Sequence, residues 1–262
     1  MKSAGGRPFV YEKNQLIEVI CQLRFPAILS IETKTPADFQ DTVRERFPQY
    51  ACQTETLTAA PDGTRSTQKN HSFVSAEGDF KISLTKGFIA FSTVRYRGWE
   101  QFAGMMDEPL GQFIRIYRPA YFERVGLRYL NGISRKALDL EDRRWNDLLQ
   151  PQYLSILDDD AVDEGTVTKG SVDVERHLDE RCDLRIHAGP GSIRRAVRTE
   201  QGVQTVQEQE VRFILDLDVN AGGKLPLAET AELMERLHGH SDRLFSDAIT
   251  DALHDAMEPV EL

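Results

Sequence analysis

The sequence holds few of the residues and patterns that announce a chemistry. Its three cysteines, Cys21, Cys52 and Cys182, stand far apart in 262 residues, with no CxxC pair. That argues against a disulfide framework and against a cysteine-rich zinc site, and it points to a reducing, cytoplasmic compartment. No apolar run approaches the ~20 residues of a membrane span. The first residues, MKSAGGRPFVYEKNQ, lack the apolar core of a secretory signal. GxxxxGK[ST], GxGxxG after a strand, GxSxG and HExxH are all missing. His238, His240 and His254 lack a metal-ligand pattern, because i and i+2 on a helix do not face each other. No serine or cysteine stands out as a nucleophile beside a base.

Positive charge is also in short supply. The 32 Lys and Arg against 42 Asp and Glu leave a net charge of −10. Such a chain is repelled by phosphate backbones unless a local basic face overrides the mean. The densest basic cluster, RRAVR (194–198), is followed closely by Glu200. Direct nucleic-acid binding is therefore not expected.

What the sequence does have is a 40% hydrophobic content, enough for a sizeable core. Residues 1–14 read as a flexible N-terminus and 15–262 as one α+β domain. LIEVICQLRF reads as a buried strand. TPADFQDTVRERFPQY (35–50) reads as a helix, with Thr35 capping, Pro36 at the first position, and Phe39, Val43 and Phe47 on one face. Residues 59–71 read as a polar loop, FVSAEGDFKISLT and GFIAFSTV as strands. A helix starts near Trp99, with Pro109 expected to kink or split it. Then come a strand FERVGLRYLNGI, a short helix LEDRRWNDLLQPQY capped by Asp139, and a solvated acidic loop LDDDAVDEG. SVDVERHL, CDLRIHAG and EVRFILDLDV read as strands, with GPGS (189–192) as a turn. A last helix spans about Leu227 to Met257, with a break at His238–Gly239–His240.

Set side by side, two halves (about 15–119 and 120–258) each read strand, helix, strands, helix. LRF (23–25) matches LRY (127–129), PQY (48–50) matches PQY (151–153), and FIAFSTV (88–94) matches FILDLDV (213–219). The common order predicts an internal duplication. The expected architecture is an antiparallel or mixed sheet with helices on one face. It resembles the TATA-binding-protein-like fold and, more distantly, the helix-grip folds. That likeness is topological and transfers no function.

Strand alternation places Arg24 with Ile20 and Gln22, and Arg128 with Gly126 and Leu130. A guanidinium on a mostly apolar strand needs an anionic partner. These two arginines, with Arg185, are the candidates for an ion-paired or an anion-binding role. Asp216 and Asp218 project from the polar side of FILDLDV. They suit pairing with the arginines or holding Mg²⁺ or Mn²⁺ through oxygen. Asp173, Glu175 and His177 alternate with Val172, Val174 and Arg176 on one further strand, and Asp183, Arg185 and His187 with Cys182, Leu184 and Ile186 on another. They describe either one solvated sheet face or a charged cup. The ExExK strand of triphosphate-tunnel enzymes is absent, and DVE (173–175) echoes it without the lysine.

Taken together, EVICQLRFP, RFPQY, YRGWEQF, RVGLRYLN and ILDLDV resemble an uncharacterised bacterial family of about this length, found sporadically across genomes. The resemblance runs from about Tyr11 to Ala256 and carries no catalytic residues. Its patchy distribution implies a link to toxin–antitoxin or antiphage defence loci. The residues and the resemblance favour a non-catalytic binding or regulatory protein without a cofactor. It would be an antitoxin-like inhibitor or sensor subunit that meets a protein encoded by a neighbouring gene. Asp158, Asp159, Asp160, Asp173 and Glu175 are its partner-contact candidates, and a homodimer is compatible with exposed sheet edges. The alternative is a metal-dependent phosphate- or nucleotide-binding protein or hydrolase using the charged sheet face.

Overall fold

Alternation of apolar and polar side chains along the strands decides how the chain folds. A computed structural model describes residues 9–58, 65–199 and 202–261. The first half runs β1 (Phe9–Tyr11), β2 (Leu16–Arg24), α1 (Leu29–Thr33), α2 (Ala37–Val43), β3 (Gln49–Thr58), β4 (Arg65–Val74), β5 (Phe80–Leu84), β6 (Phe88–Thr93) and α3 (Trp99–Tyr117). The second runs β7 (Phe122–Ile133), α4 (Trp145–Leu148), β8 (Val172–His177), β9 (Cys182–Thr199), β10 (Gly202–Leu225), α5 (Thr230–Ala248), α6 (Asp251–Ala256) and β11 (Pro259–Glu261). Nine strands form one sheet in the order β3-β4-β5-β6-β2-β7-β10-β9-β8, and β1 pairs with β11 apart from it. Every pairing is antiparallel. Among the described residues no helix is long and apolar enough to cross a membrane.

One face of the sheet is buried. Val19, Cys21 and Leu23 of β2, Val125, Leu127 and Tyr129 of β7, and Phe213, Leu215, Leu217 and Val219 of β10 all point into it. The helices complete that core. Phe39 of α2 meets Phe73 edge-on at 5.3 Å, Phe113 of α3 packs on Phe25 at 4.9 Å, and α5 lies against β7 and β10. Burying each such side chain contributes about 1.5–3 kcal/mol. A one-residue slip of any central strand would turn its apolar set outward, so this face fixes the register.

A polar bridge joins the helices beneath the central strands. The Tyr129 hydroxyl lies 3.0 Å from His238 Nδ1 and 3.4 Å from the Tyr96 hydroxyl. His238 of α5 stacks on Trp99 of α3 at 4.7 Å, and Trp99 Nε1 donates to Glu235 at 2.7 Å. Burial holds the His238 imidazole below its usual pKa and pushes the Tyr129 phenol well above.

The two halves contribute contiguous blocks of the sheet, meeting at β2 and β7. LRF and LRY lie on these neighbouring strands. FIAFSTV (β6) flanks β2, and FILDLDV (in β10) flanks β7. The third match fails. Gln49 and Tyr50 begin β3, whereas Pro151–Tyr153 is a 3-10 turn.

Several local expectations are corrected. The stretch read as loose contains β1, held by β11, while residues 1–8 lie outside the described residues. The polar segment 65–71 is strand, paired residue by residue with β3, and its Gln68 and His71 are buried; 59–64 lie outside the described residues. FVSAEGDFKISLT is two strands, turning at Gly78, whose φ is 77°. Pro109 sits buried inside an unbroken α3. His238–Gly239–His240 lie inside α5, and the break falls instead at Ile249–Thr250, where Ile249 bridges Leu149 and Thr250 caps α6. Only Trp145–Leu148 of the short helix is α-helical, and Asp139 closes a 3-10 turn in a left-handed conformation.

GPGS is not a turn but part of β9, and its first glycine has a packing reason. A Cβ on Gly189 would collide with the Gly170 carbonyl oxygen, so the Gly170–Ser171 backbone would have to shift. Gly189→Ala should therefore destabilise the fold by about 1–3 kcal/mol. Thermal denaturation checks this, and an unchanged Tm would mean that the Gly170–Ser171 segment moves without cost.

Candidate binding face

The face of the sheet away from the helices carries the residues singled out for chemistry. Its register arranges them in rows. In one row Arg128 faces Asp218, Asp218 faces Arg185, and Arg185 faces Glu175. In the next, Leu130, Asp216, His187 and Asp173 follow one another, and in a third Gly126, Asn220, Asp183 and His177. Charges of opposite sign alternate across β7, β10, β9 and β8.

The side chains close these rows into pairs. Arg128 grips Asp216 as a fork, Nε to Oδ1 at 2.7 Å and Nη2 to Oδ2 at 2.5 Å. Its guanidinium is held still higher in pKa than usual, first by that hydrogen bond. Arg124 Nη2 donates to both oxygens of Asp218, at 2.7 and 2.8 Å. Arg185 donates to Glu175 at 2.8 Å, and His187 Nδ1 donates to Asp173 at 2.7 Å, which lowers the Asp173 carboxyl pKa. His177 and Asp183 pair at 2.5 Å. Both carboxylates named for a cation, Asp216 and Asp218, are thus engaged by arginines.

Arg24 stands apart. It is exposed at the end of β2, directly opposite Arg124. Among the described residues no ion pair engages it. Like charges face to face on neighbouring strands repel, and the diagonal reach of Arg124 to Asp218 relieves this. The reach depends on Gly126, because a Cβ there would occupy the space of the Arg124 guanidinium. Sequence reasoning missed Arg124. The signal was Arg-x-Gly-x-Arg (124–128), two arginines and the gap between them on one side of a strand.

The acidic stretch is solvated, as expected, and it is also fastened at its backbone. Arg144 donates to the carbonyls of Asp160 (2.9 Å), Asp159 (3.1 Å) and Val162 (3.0 Å). Glu164 accepts from the Trp145 N–H at 2.6 Å and from Arg135 at 2.9 Å, while Arg135 lies 4.2 Å over the Trp145 ring. Asp158 and Asp159 face solvent from this fastened turn, and Asp160 does so at 87% side-chain exposure.

A second cluster, also unforeseen, ties the β8–β9 turn to α5. Asp179 Oδ1 accepts from the N–H groups of Arg181 (2.8 Å) and Cys182 (3.0 Å). Its Oδ2 accepts from Arg236 (2.9 Å) and His240 Nε2 (2.8 Å), and Arg243 donates to the other ring nitrogen at 3.1 Å. Asp179, Cys182 and His240 bring metal-ligating atoms within 4.8 Å of one another. A cation there would compete with Arg236 for the carboxylate. Burial pushes the Cys182 thiol up to about 11. The arrangement therefore acts as a clasp.

No protein-family model matches the sequence, and no curated protein is significantly similar to it.

The clasp has a pH signature. The backbone N–H of Arg181, then Arg236 and His240, hold the Asp179 carboxyl well below its usual 3.8. The unfolded chain therefore binds this proton more readily, so the clasp stabilises above about pH 4 and is lost as pH falls through the folded value. Asp179→Asn should lower Tm at pH 7 and shrink the difference in Tm between pH 7 and pH 3 relative to wild type. An equal acid slope in both proteins would contradict the assignment.

Proposed function

We propose that the protein is a non-catalytic binding and regulatory module whose helix-free sheet face and adjoining acidic turn hold a protein partner. One observation carries this reading. The face exposes alternating charges at fixed strand spacing, with Glu175, Arg185 and Asp173 each about half exposed or more. Ordered charge of this kind gives specificity and a fast encounter more than raw affinity. The fastened carboxylates of Asp158, Asp159 and Asp160 and the net charge of −10 suit a basic partner. A nuclease toxin encoded by a neighbouring gene has that character, and an antitoxin-like inhibitor or sensor in a cytoplasmic defence system is the role that follows. The resemblance of EVICQLRFP and RVGLRYLN to a sporadically distributed bacterial family supports the same setting. The internal duplication belongs to this proposal as well, supported by the placement of LRF and LRY on β2 and β7. So does its TATA-binding-protein-like or helix-grip-like topology.

A second reading rests on Arg24. An exposed guanidinium beside Arg124 favours a phosphate, and Arg24→Ala would then abolish phosphate or nucleotide binding read by calorimetry.

The first reading is tested by co-expressing the protein with its flanking genes and measuring complex affinity in solution. Reversing Asp158, Asp159 and Asp160 to lysine should weaken the complex at least tenfold and leave circular dichroism unchanged. Raising salt should weaken the wild-type complex in the same direction. A complex indifferent to both changes would refute the role given to the acidic turn.

A further inference from the structure

The two edges of the nine-stranded sheet are built differently. β8, at one edge, is six residues long and carries Asp173, Glu175, Arg176 and His177. Pair it with a second copy of itself about a two-fold axis, and like charges meet. Centred on Asp173, Glu175 or Arg176, the central residue faces its own charge; centred on Val174, Asp173 faces Glu175. Charged, short edges of this kind resist strand addition.

β3, at the other edge, has neither protection. It runs ten residues, and Gln49–Thr56 contains no lysine, no arginine and no proline. Its pairing with β4 is continuous from Gln49 to Thr58, with no bulge to twist the edge away. Gln49 to Thr54 and Thr56 are exposed, and among the described residues no strand pairs with its outer side. Its one charged residue there, Glu55, is held from behind by Asn70 (2.6 Å) and Gln68 (3.4 Å).

We propose that β3 is a dimerisation edge, occupied by β3 of a second copy of this chain. Charge selects the occupant and the register. With the two-fold centred on Cys52, Gln53 or Thr54, Glu55 faces Gln49, Ala51 or Gln53 of the other copy, and no like charges meet. A register centred on Glu55 sets two carboxylates against each other and is rejected. Pairing of β3 with β8 of another copy would be heterologous and would run on into an open chain, which the charged β8 edge opposes. The isologous pair closes. Its axis stands perpendicular to the sheet, so both copies present their charged faces on the same side, a bivalent display. This inference is independent of the partner-binding role and adds an assembly to it.

Light scattering coupled to gel filtration of the full chain, from micromolar to submillimolar concentration, reads the mass. The expected result is twice 29.7 kDa. A51K/Q53K/E55K places lysine opposite lysine in all three allowed registers. It should weaken dimerisation at least tenfold, with circular dichroism and Tm reporting that the fold is retained. Cys52 supplies a second readout, since Cys21 and Cys182 are buried and only Cys52 is exposed. A flexible bismaleimide should cross-link the wild type into a dimer and leave C52S monomeric. A monomer at every concentration overturns the proposal. So does a dimer that withstands the lysine triplet and fails to cross-link through Cys52.

Discussion

The antiparallel pairing of β2 with β7 is the joint on which the sheet depends. On one side of it lie four strands of the first half, on the other three of the second. Val19, Cys21 and Leu23 interleave with Val125, Leu127 and Tyr129, all buried, so the joint is sealed from the helix side by apolar contact. Register follows from that burial, and the position of every charge on the opposite face follows from the register. Gln22 faces Gly126, Arg24 faces Arg124, and Arg128 faces Ile20 because Val19 faces Tyr129. The charge rows are therefore a consequence of core packing.

Magnitudes separate what holds the fold from what is free to act. A buried leucine or phenylalanine contributes about 1.5–3 kcal/mol. An exposed ion pair such as Arg185–Glu175 contributes about 0–1 kcal/mol. Exposed pairs like this one could be lost without loss of the fold, which leaves them available to the recognition role proposed above. Arg24 fits this view, since a lone exposed guanidinium beside another arginine adds nothing to the folded state. The fastened turn at 158–164 makes the same point. Arg144 bonds the backbone carbonyls of Asp159, Asp160 and Val162 and also the Asp160 carboxylate at 3.2 Å, which Asn146 holds at 2.8 Å and which still stays largely exposed, while Asp158 and Asp159 face solvent.

The sequence made the fold class readable, because the long elements carry strong periods. VICQLRF and VGLRYLN alternate cleanly, and Phe102, Met106, Leu110 and Phe113 mark α3 in spite of Pro109. Helices on one face and arginine–aspartate pairing on the other follow from the same alternation. β3 and the start of β4 were hidden, since a hairpin built largely of Gln, Thr and Ser has no apolar alternation to count. The α5–α6 break was misplaced at Gly239, whose cost of about 1 kcal/mol is outweighed by the packing of Leu237 and Leu244. Arg124 and Asp179 were invisible for another reason. Their partners lie 94 residues away at Asp218 and 57 to 61 residues away at Arg236 and His240; Arg-x-Gly-x-Arg marks the space for the Arg124 side chain, but local spacing names neither partner.

The central claim is that the helix-free face and the acidic turn, rather than the helical layer, meet the partner. Hydrogen exchange of the full chain, alone and bound to the product of a neighbouring gene, tests it most directly. The account predicts slowed exchange in residues 158–175 and in β8 and β9, with α3 and α5 unchanged. Protection confined to α3 and α5 would contradict it.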